Sequence, residues 1–353
     1  MDYTGEHLLP GQLGHFFIVL SMVASLLASF AYFMAARASG TPVPAMVNGG
    51  NLLQAGYRDP AAWKKLARIA FITEVVSVLA IFGILFYIIY NHLFEYHYAW
   101  KHSSRSLELK YLLACFWEGQ EGSFLLWSTW HCVLGMILIR TSGKWEAPVM
   151  SVISLAQFAL ATMIAGIYVF GWKMGTNPFI LLRDSGVLDN APALHVNNDI
   201  HLPLRQDYLL FVRDGNGLNI LLQNYWMVIH PPVLFMGFAS TIVPFAFAVA
   251  GLWKKNFGEW TKPALPWVLF STAVLGVGIM MGAIWAYESL SFGGYWAWDP
   301  VENASLVPWM ILVAGVHTLL IYKNSGYSLR ATYLFMILAF AFILYSTFLT
   351  RTG

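Results

Sequence analysis

The sequence predicts an all-α fold, a polytopic transmembrane helical bundle of about eight spans with both termini outside, and three observations carry that expectation. Of 353 residues, 58% are hydrophobic and 11% charged, against about 25% charged in an ordinary soluble domain. Apolar runs of the length needed to cross a bilayer core, about 20 residues, recur from end to end. The 20 Lys and Arg fall unevenly between the connecting segments, 12 of them in 37–68, 140–146, 254–264 and 323–330. Basic residues are retained on the cytoplasmic side, so those four loops read as inside. A formal charge of +2 offers no strong field to nucleic acid, which is not an expected partner. Two cysteines, Cys115 and Cys132, cannot build a thiol metal cluster, and no CxxCH is present, so the chain is not itself a c-type cytochrome.

The spans follow in order. The first, 14–36, comes after thirteen residues that hold Asp2 and Glu6 but no Lys or Arg, unlike the basic leader of a cleaved signal, so it stays as a helix. The Pro and Gly of 37–60 make an ordinary linker. The second span, 69–92, begins after Lys64, Lys65 and Arg68 and carries Glu74. Spans at 123–140 and 147–172 follow the 93–122 loop, and the long 173–230 outer loop leads to a fifth span, 231–253, opened by Pro231 and Pro232. Spans at 265–289, 305–322 and 331–350 complete the set, with a short Trp-rich loop at 290–304. The whole of 1–353 reads as one transmembrane domain.

That short loop carries the most information. Tyr295, Trp296, Trp298 and Trp309 place four large aromatics in fifteen residues, and Gly293 and Gly294 let backbone come close to whatever they face. Flat, rigid rings there serve either as a headgroup-level aromatic belt or as a stacking surface for a flat apolar ligand. Asp299-Pro300-Val301-Glu302 has the pattern of a capping box, with Asp as N-cap, Pro at N1 and Glu at N3 reaching back to the N-cap amide. The alternative use of either acid is to face a substrate.

Gly293-Gly-Tyr-Trp-Ala-Trp-Asp-Pro-Val-Glu-Asn-Ala-Ser305 resembles the tryptophan-rich WWD signature of the haem-handling proteins of cytochrome c biogenesis, and is most similar to the CcmF type. Two further blocks agree in order. Asn177-Pro178-Phe179, Asp214-Gly-Asn-Gly-Leu-Asn219, Leu222-Gln223 and His230-Pro231-Pro232 resemble the outer loop that leads to an HPP motif, and Glu121-Gly122-Ser123 before Phe124-Leu-Leu-Trp127 resembles the start of the third span. The sequence departs from the pattern at Tyr295, where the family usually has Trp, and in 184–212, which looks like an insertion. The likeness covers only the N-terminal half of CcmF, so a split gene or a fragment is expected.

Ten histidines are present. His230 precedes the Pro pair at the outer end of its span, where a neutral imidazole is available to iron. His317 is the thirteenth residue counted from Ser305, about 18 Å down a helix and near mid-membrane, where a polar ring needs a partner. The resemblance implies that His230 is an outer ligand for delivered haem and that His317 ligates a resident haem b in the membrane, with Tyr295, Trp296, Trp298, Asp299 and Trp309 as the surrounding platform. In the family each haem has a second histidine beyond the stretch matched here. His15 and His131 read as packing or polar-contact residues, and His92, His97, His102, His195 and His201 as solvated loop residues.

The resulting expectation is a haem lyase component that takes haem from a CcmE-type carrier and attaches it to the CxxCH thiols of apocytochrome c. Its other expected partners are thiol-handling chaperones, membrane lipid and a chain holding the missing C-terminal half. Its location is the bacterial inner membrane, or an organelle equivalent, with the active face periplasmic. Three other readings compete. A haem transporter needs a continuous cavity between His317 and His230; a b-type cytochrome subunit needs paired span histidines, which the sequence lacks; and a CcmC or CcsA relative fits the long 173–230 loop less well.

Overall fold

The computed structural model describes residues 3–39, 59–289 and 294–352. Most of the 37–60 linker, and residues 290–293 of the Trp-rich loop, lie outside the described residues. The chain is predominantly helical: α1 (Leu8–Ala38), α2 (Pro60–Tyr90), α3 (His97–His102), α4 (Leu109–Glu118), α5 (Gln120–Thr141), α6 (Glu146–Ala165), α7 (Tyr225–Ser240), α8 (Ile242–Trp253), α9 (Thr261–Ser289), α10 (Pro300–Ser325) and α11 (Leu329–Thr352). Eight segments are long and apolar enough to cross a membrane, α7 and α8 together forming the fifth. The eight expected spans are therefore present, and the chain is an integral membrane protein.

Two boundaries differ from the sequence reading for definable reasons. The fourth span ends at Ala165 and not near 172, because Gly166 (φ +69°) donates its N–H to the Thr162 carbonyl as a left-handed helix stop. A two-stranded antiparallel hairpin, β1 (Ile167–Val169) and β2 (Trp172–Met174), follows. The fifth span starts at Tyr225, so Pro231 and Pro232 lie inside α7 and do not open it. Pro231 has no N–H to give the Met227 carbonyl four residues back. The indole of Trp117 donates to that carbonyl instead, at 2.9 Å, which lets the helix run on through the prolines.

The described residues form two compact units. The first comprises Met1–Met22, Val75–Leu126 and Ala159–Val228, and so folds the N-terminal segment together with the 93–122 and 173–228 loops. Leu182, Leu188 and Tyr208 make a small buried core there, with Tyr3 and Trp100 packed against it. Glu6 accepts from Tyr208 Oη and from Arg183 Nη1, both at 2.8 Å, and Glu95 accepts from the His7 ring at 2.9 Å. Several family-like motifs act as latches. Asp214 accepts from the Arg105 and Gly215 amides, and a Cβ at Gly215 would stand 2.1 Å from the Ser103 carbonyl oxygen. A Cβ at Gly122 would stand 1.5 Å from the Phe116 carbonyl oxygen, so the break between α4 and α5 admits only glycine there. Two loop histidines are buried, contrary to the solvated reading. His102 pairs with Glu118, and His195 meets the Leu202 and Leu188 carbonyls, because the 93–122 and 173–228 loops enclose a core of their own.

The second unit comprises Val23–Glu74, Trp127–Phe158 and Ile229–Gly353. Here α10 packs on both α9 and α11, and α8 packs on α9 and α11. Several buried polar side chains inside the spans are partnered. Trp127 Nε1 donates to His131 Nε2 at 3.1 Å, Gln157 bridges Ser128 and Cys132, and Glu74 takes Gln157. Arg68 does not reach Glu74; it clasps Glu146 through two bonds of 2.7 and 2.8 Å. Both cysteines are free and buried.

Candidate functional site

The site lies in the second unit, where α7, α9 and the start of α10 meet. Two glycines of α9 and one of α7 allow the two helices to come close. A Cβ at Gly278 would stand 3.0 Å from Leu234 Cα, one at Gly282 2.9 Å from His230 Cε1, and α7's own Gly237 faces Leu275 in the same way. The first two contacts are one helical turn apart on both helices, so small residues on one face receive large ones on the other in register. His230 therefore packs directly against α9 at Gly282, its ring 5.8 Å from that of Trp285 at an interplanar angle of 61°.

A cavity of about 210 Å³ opens beside this pair, lined by His230, Gly282, Trp285, Tyr295, Trp296 and Asp299 among others. His230 Nδ1, Trp285 Nε1 and Trp296 Nε1 are buried atoms without a hydrogen-bond partner among the described residues. Buried ring nitrogens cost free energy when unpaired, and three of them line this one cavity. An indole N–H can only donate, whereas a neutral imidazole nitrogen can also ligate a metal.

Residues 297–303 are fixed by hydrogen bonds between side chains and backbone. Asp299 caps α10 by accepting from the Glu302 amide at 2.8 Å. Glu302 differs from the simple capping box. Its Oε2 accepts from the Ala297 and Trp298 amides at 2.7 and 2.8 Å, two residues and one residue before the N-cap. The difference arises because Trp298 stands at φ +60°, which turns the preceding amides toward the helix. Asn303 Nδ2 donates to the Trp298 carbonyl at 2.9 Å, so the Trp298 backbone is gripped at both its amide and its carbonyl.

The structure brings His230, Tyr295, Trp296 and Asp299 together. It leaves Trp298 exposed at the rim, edge-on to Trp296 with centroids 5.9 Å apart. Trp309 stands outside the cavity lining, donating its N–H to the Thr272 carbonyl at 2.9 Å beside Gly276. His317 is also separate. It is exposed on α10, and its Nδ1 donates to the Val313 carbonyl at 2.8 Å. Because α10 begins at Pro300, the ring lies roughly 26 Å along the helix, deeper than the span boundary suggested. Trp285 and Gly282 were not legible as site residues. The Gly278-x-x-x-Gly282 spacing signals close helix approach, but it does not name the helix that approaches.

The family model described as cytochrome C assembly protein matches residues 117–353. CcmF of Pseudomonas fluorescens, a cytochrome c-type biogenesis protein, is 35% identical over 82% of this chain and 40% of its own length. NrfE of Haemophilus influenzae, another cytochrome c-type biogenesis protein, is 32% identical over 83% of this chain and 41% of its own. A solved structure, the cytochrome c haem lyase CcmF, superposes with a TM-score of 0.70 at 26% identity, covering 100% of this chain and 49% of that one. The chain thus spans about two fifths of the length of these two curated relatives and about half of the solved structure.

Proposed function

Because the chain belongs to the cytochrome C assembly protein family, we propose that it is the haem-positioning part of a cytochrome c haem lyase in the bacterial inner membrane, working at the periplasmic face. The observation that carries this reading is the cavity in which His230, Trp285 and Trp296 leave three buried ring nitrogens unpaired among the described residues. The haem is the substrate, handed over by a CcmE-type carrier. His230 supplies an axial nitrogen, and Trp296 and Tyr295 supply flat faces. At about 210 Å³ the cavity is smaller than the 300–1,000 Å³ typical of small-molecule sites. It therefore takes one edge of the porphyrin, while the rest lies over the exposed Tyr295 and Trp298.

An exposed porphyrin edge suits the reaction. Each CxxCH thiol of apocytochrome c adds S–H across a haem vinyl: sulfur bonds to one vinyl carbon, the proton goes to the other, and nothing is oxidised or reduced. No side chain needs to become a nucleophile, so this chain contributes by fixing which vinyl meets which thiol. Trp309 contributes from a distance by tying α10 to α9.

His317 fits one half of a bis-histidine site for a resident haem b. Its Nδ1–H is already committed to a carbonyl, the usual arrangement of a ligating histidine, and Nε2 is left for a metal. Such a haem, when bound, supplies one-electron reduction to the substrate iron. The second ligand for each haem is expected from the part of the CcmF-like length that lies beyond the stretch matched here.

The test is haem retention in membranes that express this chain together with the carrier, an apocytochrome and the remaining CcmF-like length. His230→Ala should remove carrier-delivered haem and stop covalent attachment while leaving the low-spin b-type spectrum. His317→Ala should abolish that spectrum. Undiminished attachment in His230→Ala would overturn the site.

A further inference from the structure

A second cavity, of about 730 Å³, lies in the same unit at the end of the spans that the charge bias assigns to the cytoplasm. Five cations from four places in the chain line it: Arg37 at the end of α1, Lys64 in the first turns of α2, Lys144 between α5 and α6, and Lys254 and Lys255 after α8. The acids facing them are already engaged. Glu146 takes Lys64 at 2.5 Å together with Arg68, and Glu259 takes Lys144 together with the Asn256 amide.

Arg37, Lys254 and Lys255 are left without an acidic partner among the described residues. Among the described residues Lys254 meets neutral oxygens, the Ala36 carbonyl and Ser39 Oγ, while burial pushes its ammonium below the usual lysine range. A partly desolvated cation with no counter-ion is costly, and an anion entering the cavity offsets that cost.

The surroundings select the kind of anion. Trp145 and Trp253 line the same cavity, and Trp253 stacks on Phe33 with centroids 5.1 Å apart and planes at 17°. Tryptophan is enriched at headgroup depth. Phe33, Leu66 and Leu252, each within about one turn of a lining cation, are exposed apolar side chains. A bare ion has no use for that apolar surface, whereas a lipid with acyl chains does. The volume falls within the range of sites that take a whole small-molecule group.

We propose that this cavity binds the headgroup of an anionic phospholipid of the inner leaflet, its phosphodiester held by Arg37, Lys254 and Lys255 with the acyl chains running up past Phe33 and Leu252. The site is independent of the Trp-rich cavity and of the haem reading.

The test uses the full chain purified in neutral detergent. Retention of dioleoyl phosphatidylglycerol and dioleoyl phosphatidylcholine is counted by native mass spectrometry, with the thermal midpoint followed in parallel and inorganic phosphate as a third ligand. Phosphatidylglycerol should be retained preferentially and raise the midpoint. Arg37→Gln combined with Lys255→Gln should weaken its retention about tenfold. Lys323→Gln, a charge removed from the last turn of α10 at the same end, should leave retention unchanged and serves as the folding control. Equal retention of the two lipids, or undiminished retention in the double variant, would overturn the proposal. Inorganic phosphate raising the midpoint as far as phosphatidylglycerol would overturn the lipid assignment in favour of a free-anion site.

Discussion

Glu302 holds Trp298 in place: its carboxylate accepts the Trp298 amide at 2.8 Å, and the tryptophan so held stands at φ +60° with its ring exposed. A left-handed conformation costs a non-glycine residue about 1–3 kcal/mol. The same carboxylate takes the Ala297 amide, and Asn303 takes the Trp298 carbonyl, so the strain is opposed from three sides. The acid beside the tryptophans thus sets where the rings point.

Replacing Glu302 by Gln removes the charge from two hydrogen bonds and should loosen the loop by about 1–2 kcal/mol. Limited chymotrypsin digestion should cut faster after Tyr295, Trp296 or Trp298, while the spans stay protected. Asp299→Ala should cost about 1 kcal/mol through the lost cap. Unchanged digestion in Glu302→Gln would show that the loop is held by packing alone.

Gly282→Ala separates positioning from stability. Alanine favours a helix by about 1 kcal/mol over glycine, yet the added Cβ would stand 2.9 Å from His230 Cε1. Expression should hold while carrier-delivered haem falls, as in His230→Ala. Gly83→Ala, where a Cβ would meet nothing within 4 Å, should leave haem retention as it is.

Burial raises the Glu6 carboxyl above its usual 4.5, outweighing Tyr208 and Arg183, which pull the other way. A folded-state value above the unfolded one means that ionisation opposes folding. The contribution of Glu6 is then most favourable below about pH 4.5 and is lost as pH rises through the folded value. The difference in thermal midpoint between the parent and Glu6→Gln should shift in favour of Glu6→Gln between pH 4 and pH 7. A pH-independent difference would mean that the Arg183 ion pair compensates fully for burial.

The orientation assigned from basic residues is tested by reporter fusions. Those after residues 105 and 200 should report the periplasm, and those after 258 and 326 the cytoplasm. A cytoplasmic signal at 200 would reverse both the haem face and the leaflet of the phospholipid site.

Spans were legible because each requires a long apolar run, a property summed over many residues and insensitive to what packs where. The Asp299 cap was legible because a helix start is a local arrangement of four residues. By itself, then, the sequence determined the fold class, the eight crossings and the Trp-rich loop with its cap. Tertiary structure alone decided that Trp285 stands against His230, that Trp309 turns to Thr272, that His317 faces outward, and that basic residues from four separate segments share one cavity. The reason is that helix rotation and pairing follow from contacts between residues far apart in the chain. In spans apolar on every side, no stripe in the sequence marks which face meets which neighbour.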